Sequence, residues 1–162
     1  MTRILRWAGL DDYGALAELM FDAVRNGDSP YDEHQRRAWL PAPRTGREWE
    51  DRLSSQDIVV AEIDGQAVGF MSLAAEGYID FAYIRPQAQH SGLFRQMFER
   101  IEDRARVRGD RLLWVHASLM AQPAFAAVGF TTKHSELFEI GTEQLQRFEM
   151  EKRLPEPASG RT

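Results

Sequence analysis

Two titratable side chains and one short loop are the parts of this sequence best equipped for chemistry. Asp80 stands between Ile79 and Phe81 in an apolar run, and His116 ends another, Leu112-Leu113-Trp114-Val115-His116. A carboxylate in such a run either reaches into a cleft or is paired by a structural hydrogen bond. A neutral imidazole at a strand end can take a proton directly or through water; the competing reading is a satisfied core histidine. Between them in sequence lies Gln89-His90-Ser91-Gly92-Leu93-Phe94-Arg95, which follows an apolar strand and opens a helix. A loop of that kind presents unpaired N–H groups at the positive end of a helix dipole, which suits a phosphate. It points to a nucleotide-like cofactor with a pyrophosphate. Tyr31 and Trp39 fall within about 80° of each other on an ideal helix. They either wall an acceptor pocket or pack on a sheet. Glu76, beside Gly77, reads as a solvated turn carboxylate.

The elements that must hold these residues can be read from periodicity. Residues 3–8 form a short strand, and Asp11 or Asp12 can cap a helix in which Leu16, Leu19, Met20 and Val24 recur at helical spacing. Gly27-Asp28-Ser29-Pro30 ends it. Residues 31–40 form a second helical stretch, stopped by Pro41 and Pro43, and 46–53 a third. Residues 58–63 and 67–74 are strands joined by Asp64-Gly65, a strong hairpin signal. Residues 78–84 form the next strand. The helix over 92–108 places Leu93, Met97, Ile101 and Ala105 on one stripe, and Gly109 stops it. The almost wholly apolar 112–116 predicts a central strand buried on both faces. A short helix over 121–128 ends at Gly129, and 130–140 and 144–151 close the chain as antiparallel strands. The expected fold class is α/β in the broad sense (α+β), a mixed sheet with helices on both faces. Residues 1–154 make one domain, and the small, polar segment 155–162 is expected to be a disordered tail.

Composition narrows the function classes. The 162 residues suit one compact domain, and 43% hydrophobic residues are enough for a core. No run is long enough to span a membrane and no signal-peptide apolar region opens the chain. The absence of cysteine excludes disulfides, thiolate metal sites and a Cys nucleophile, and fits a cytoplasmic location. A net charge of −5 argues against nucleic acid as a partner and fits small or cationic substrates. His34, His90, His116 and His134 include no i, i+4 pair, so no zinc site of the metalloprotease kind is expected. Neither a Gly-x-x-x-x-Gly-Lys loop nor a Gly-x-Ser-x-Gly elbow is present.

Taken together, the element order and three local signatures resemble the GNAT superfamily of N-acetyltransferases, over nearly the whole chain. Residues 78–86, Tyr-Ile-Asp-Phe-Ala-Tyr-Ile-Arg-Pro, are similar to the family's fourth strand and the turn leaving it. Gln89-His90-Ser91-Gly92-Leu93-Phe94 aligns with the pyrophosphate loop, Gln/Arg-x-x-Gly-x-Gly/Ala. Residues 117–125, leading to Gly129-Phe130, are similar to a helix and Gly-Phe pair near the family's C-terminus. The Tyr31 and Trp39 spacing resembles a small bacterial subgroup. Two residues depart from the pattern: Phe94 stands where Gly or Ala is usual, and Phe125 where many members carry a proton-donating Tyr.

The resemblance implies a mostly antiparallel mixed sheet that splays between strands 4 and 5. It implies acetyl-CoA as co-substrate and direct attack by the amine of a small molecule, with no covalent enzyme intermediate. Pantetheine would lie along the strand edge at Ala82, Tyr83 and Ile84, with N–H donors near Ala82 and Ile84. The pyrophosphate would meet Gln89 to Phe94, with charge from Arg95. Ser118 occupies the place of a family Asn that contacts the cofactor, and Phe125 sits beside it. Asp80 and His116 are the candidates for the base, and Tyr31 and Trp39 for the acceptor pocket. The alternatives are a GNAT-like binding module without catalysis and an enzyme using another acyl donor. A homodimer is open, because closing strands such as 130–140 are available to pair between subunits.

Overall fold

The computed structural model of the protein describes residues 2–27 and 29–155. Asp28, expected in the turn after the first helix, and the tail from 156 onward lie outside the described residues. Seven strands form one sheet: β1 (Arg3–Trp7), β2 (Asp57–Ile63), β3 (Gln66–Leu73), β4 (Tyr78–Ile84), β5 (Leu112–Ser118), β6 (Thr131–Ile140) and β7 (Glu143–Arg153). Five helices accompany them: α1 (Tyr13–Asn26), α2 (Glu33–Trp39), α3 (Gly46–Ser54), α4 (Leu93–Arg108) and α5 (Gln122–Ala127). The strand order is β1-β2-β3-β4-β5-β7-β6, antiparallel throughout except for β4 beside β5. No helix among the described residues is long and apolar enough to cross a membrane.

Two cores lie on opposite faces of the sheet. On one, α4 buries Leu93, Met97, Phe98, Ile101 and Ala105 against Val59, Met71, Ile79 and Leu113. Full burial of each large side chain contributes about 1.5–3 kcal/mol. On the other, α1 and α3 cover Val60, Phe70 and Phe81 with Leu16, Met20, Trp49 and Leu53. The β2–β3 hairpin turns at Asp64 and Gly65, both with positive φ (50° and 84°), as a type I′ turn requires. Gly77 has φ 75°, and a Cβ there would collide with the Leu112 carbonyl; only glycine lets β4 start this close to β5.

Two expectations are corrected. The Asp12 carboxylate does not cap α1: it accepts from Arg6 at 2.7 and 2.9 Å and from the Gly9 amide at 2.8 Å. β5 is not buried on both faces. Leu113, Val115 and Ala117 are buried, whereas Leu112, Trp114, His116 and Ser118 are only partly covered. An apolar run read as a doubly covered strand here has one face opened by a gap in the sheet. The closing strands β6 and β7 pair antiparallel as expected, and β7 is the one that lies beside β5.

Candidate active site

The gap opens where β4 and β5 stop pairing. They are in register only at Tyr78 with Trp114 and Ile79 with Val115, and then splay. On its other edge β4 continues along β3, with a register shift opposite Ser72. The buried Ser72 hydroxyl accepts the Phe81 amide at 3.0 Å, filling the break in the ladder. This bulge alters which way the strand faces. Ile79 belongs to the α4-side core, yet Phe81 and Tyr83 belong to the α1 side, and Ala82 and Ile84 return to the α4 side. The Phe81 and Arg85 amides both point to β3, the latter donating to the Val68 carbonyl at 2.7 Å. By strand alternation the amides of Ala82 and Ile84 face the gap.

Two cavities meet at this fork, sharing Trp39, Ala82, Tyr83, Ser118 and Ala121 as a common wall. The first, the loop cavity, has a volume of about 290 Å³ and runs from Ile84 past Gln89, His90 and Gly92 to Leu93 and Phe94. Gln89 ties the loop to the strand by donating from Nε2 to the Ile84 carbonyl at 3.1 Å. Gly92, with φ 81°, is the N-cap of α4 and has no side chain to satisfy the first amides of the helix. The Phe94 ring lies edge-on to Phe125, 5.0 Å between centroids, and Phe125 in turn meets Phe130 edge-on at 5.1 Å. The two departures from the family pattern are therefore in contact, and the cavity stays open beside them. Ser91 and Arg95 do not line it. The Ser91 hydroxyl donates to the Ala88 carbonyl at 2.6 Å, and the Arg95 guanidinium to the Ala127 carbonyl at 3.0 Å. Ser118 Oγ accepts from the Ala121 amide at 3.1 Å, starting the turn into α5.

The second, the strand cavity, has a volume of about 200 Å³ and holds both titratable candidates. His116 Nδ1 lies 3.3 Å from the Tyr78 hydroxyl, and Nε2 lies 4.0 Å from Glu149. Burial, and then the charge of Arg147, push the imidazole below its ordinary value of 6.5, so it is neutral near pH 7. Asp80 keeps different company. Arg52 grips it with two bonds of 2.8 and 2.7 Å, and Gln56 adds a third at 2.7 Å. A carboxylate so fully engaged holds α3 to β4 and has little capacity to accept a substrate proton. Tyr31 and Trp39 both line the cavity, with their rings edge-on at 5.6 Å. The Tyr31 hydroxyl is already used: it donates to the Gln146 carbonyl and accepts from the Leu119 amide. Burial, with Asp80 second, holds the Tyr83 phenol far above its usual range. Arg44, Arg52 and Arg147 also line the space, so its local charge is opposite in sign to that of the whole chain. None of these arginines was legible in sequence; they stand on a loop, α3 and β7, and only the fold brings them together.

The sequence profile of the acetyltransferase (GNAT) domain matches residues 28–154. The chain belongs to the GNAT acetyltransferase family. An uncharacterized N-acetyltransferase of Escherichia coli, YafP, is 27% identical over 129 residues, 79% of this chain and 81% of the relative. A GCN5-related N-acetyltransferase from Rhodopseudomonas palustris superposes with a TM-score of 0.86 at 29% identity, covering 95% and 97% of the two chains. The Salmonella typhimurium acetyltransferase YncA, solved with acetyl-CoA, shares the fold at a TM-score of 0.68 and 22% identity, with 99% of each chain covered. In this GNAT domain the splayed β4–β5 pair and the loop before α4 stand where the sequence resemblance implied.

Proposed function

We propose that the protein is an acetyl-CoA-dependent N-acetyltransferase acting on the amine of a small molecule. The observation that carries this reading is the fork itself. The amides of Ala82 and Ile84 face an apolar cavity that runs on to the glycine-capped start of α4. Such a run of donors fits an amide-rich arm ending in a diphosphate. YncA, with the same fold and acetyl-CoA bound, supports the choice of donor.

When bound, acetyl-CoA supplies the thioester carbonyl and the leaving thiolate. The chain's own residues do the rest. The Ala82 and Ile84 amides hold the arm in the fork and offer a donor to the developing oxyanion. Neutral His116 takes the ammonium proton so that the nitrogen can attack, and its hydrogen bond with Tyr78 fixes the ring. Arg147, which helps keep His116 uncharged, also favours the neutral amine. Asp80 acts by positioning Arg52. Phe125 has no proton to give, so the thiolate departs without a general acid from that position, which slows the reaction without forbidding it.

Isothermal calorimetry with acetyl-CoA and CoA, paired with a thiol-release assay over an amine panel, tests the reading. Donor binding with acceptor-dependent release is the expected result. Calorimetry silent at millimolar donor overturns it. Binding without transfer to any amine would favour a non-catalytic module, for which the absent Phe125 hydroxyl is the motivating feature.

A further inference from the structure

The strand cavity carries a charge pattern that proton transfer does not use. Three guanidinium groups line it, Arg44, Arg52 and Arg147, against one carboxylate, Asp80. Arg52 is matched by Asp80 through a two-pronged pair. Arg147 gives Nε to Glu136 at 2.6 Å and lies over the Phe138 ring at 4.4 Å. Its two terminal nitrogens hold no hydrogen bond among the described residues. Arg44, on the exposed loop between α2 and α3, has neither hydrogen bond nor ion pair among the described residues. Arg52 is taken by Asp80 and Arg147 by Glu136, and Glu149 faces His116 at 4.0 Å from outside the lining, so Arg44 is the one lining guanidinium without a carboxylate partner among the described residues. Trp39, Phe138 and Leu145 line the same cavity with apolar surface, which strengthens the attraction for an anion that enters it. A bare diamine would meet the same arginines as like charges.

Building on the acetyltransferase reading, we propose that the acceptor is a small zwitterion, an amino carboxylate. Arg44 and the free end of Arg147 bind its carboxylate while its amine is presented to His116. One lining guanidinium without a carboxylate partner, Arg44, matches a monoanion. Guanidinium groups suit a carboxylate because their planar forks can meet both oxygens.

The test is steady-state kinetics at saturating acetyl-CoA with the twenty amino acids, their C-terminal amides, and putrescine. At least one amino acid should be acetylated with kcat/KM about tenfold or more above its amide, with putrescine lower still. In Arg44→Gln that preference should shrink toward parity through a rise in KM for the carboxylate, and Arg44→Lys should restore part of it. Equal or better turnover of the amides or of putrescine overturns the proposal, as does a preference that survives Arg44→Gln. Calorimetry run alongside separates the two readings. If acetyl-CoA fails to bind, the acetyltransferase reading falls. If the donor binds but no amino acid is acetylated, only the zwitterion proposal falls.

Discussion

The loop cavity takes its polar groups from the main chain: two amides of β4 turned toward the gap and the open start of α4. The strand cavity takes its polar groups from side chains: His116, Asp80 and three arginines, drawn from five separate segments. Yet the two share a wall. Main-chain donors are insensitive to most substitutions, whereas a side-chain constellation changes with each residue. A fold built this way can keep one ligand and vary the other.

Substitutions at the fork test that division. Gly77→Ala should damage both halves at once, since the new Cβ meets the Leu112 carbonyl at a positive-φ position. A loss on the order of 4 kcal/mol, read as a melting temperature lower by roughly 10 °C or as failure to fold, is expected. A near-native melting curve would refute the close approach of β4 to β5.

His116→Ala should act on one half alone. Turnover should drop about 10²–10⁴-fold while KM for acetyl-CoA stays within a factor of about two. In the native enzyme the acid limb of the pH–rate profile should lie below pH 6.5, because burial lowers the imidazole pKa. The same shift has a stability consequence. Below about pH 6.5 the unfolded chain gains this proton before the folded one does, so stability falls as the pH is lowered through that range. A limb above 6.5, or one that persists in the variant, would remove His116 from the role.

Asp80→Asn separates positioning from proton transfer. Breaking the two-pronged pair with Arg52 should lower stability by about 2 kcal/mol in urea unfolding while the acid limb stays in place. A vanished limb would instead make Asp80 the base. The smallest effect belongs to Phe94→Ala. Loss of its edge-on contact with Phe125 should cost about 1 kcal/mol and shift KM for the donor but not for the acceptor. An acceptor-only change would mean the wall between the cavities is drawn wrongly.

The division also explains what could be read from sequence. The loop cavity was legible because short-range signals make it: Gly92 before a helix, the run 78–84 before the loop, Gly77 and Gly109 as stops. The bulge was not, because regular alternation in Tyr78-Ile79-Asp80-Phe81 puts Phe81 with Ile79, and only the Ser72 hydroxyl on the neighbouring strand reverses that. In the strand cavity, Asp80, His116, Tyr31 and Trp39 are visible in the sequence as candidates and line one space, but their partners are not visible there. Arg52 reaches Asp80, and Gln146 meets Tyr31, across sequence distances that carry no local signal. Net charge does not report on the cavity for a similar reason: acidic residues spread over the surface set the total, while three arginines line the space inside.

The placement of β7 bears on how the protein is made. β5 and β6 both precede β7 in the chain, yet β7 is the strand that joins them in the sheet. Until β7 docks, the edge of β5 is bare and β6 has no strand to pair with, and an unpaired edge is a template for mispairing. The Tyr31 hydroxyl likewise waits for Gln146 to be synthesised before it can bridge to Leu119. A chain truncated before residue 143 would therefore lack both the strand that pairs β5 with β6 and the Leu145 and Arg147 side of the strand cavity.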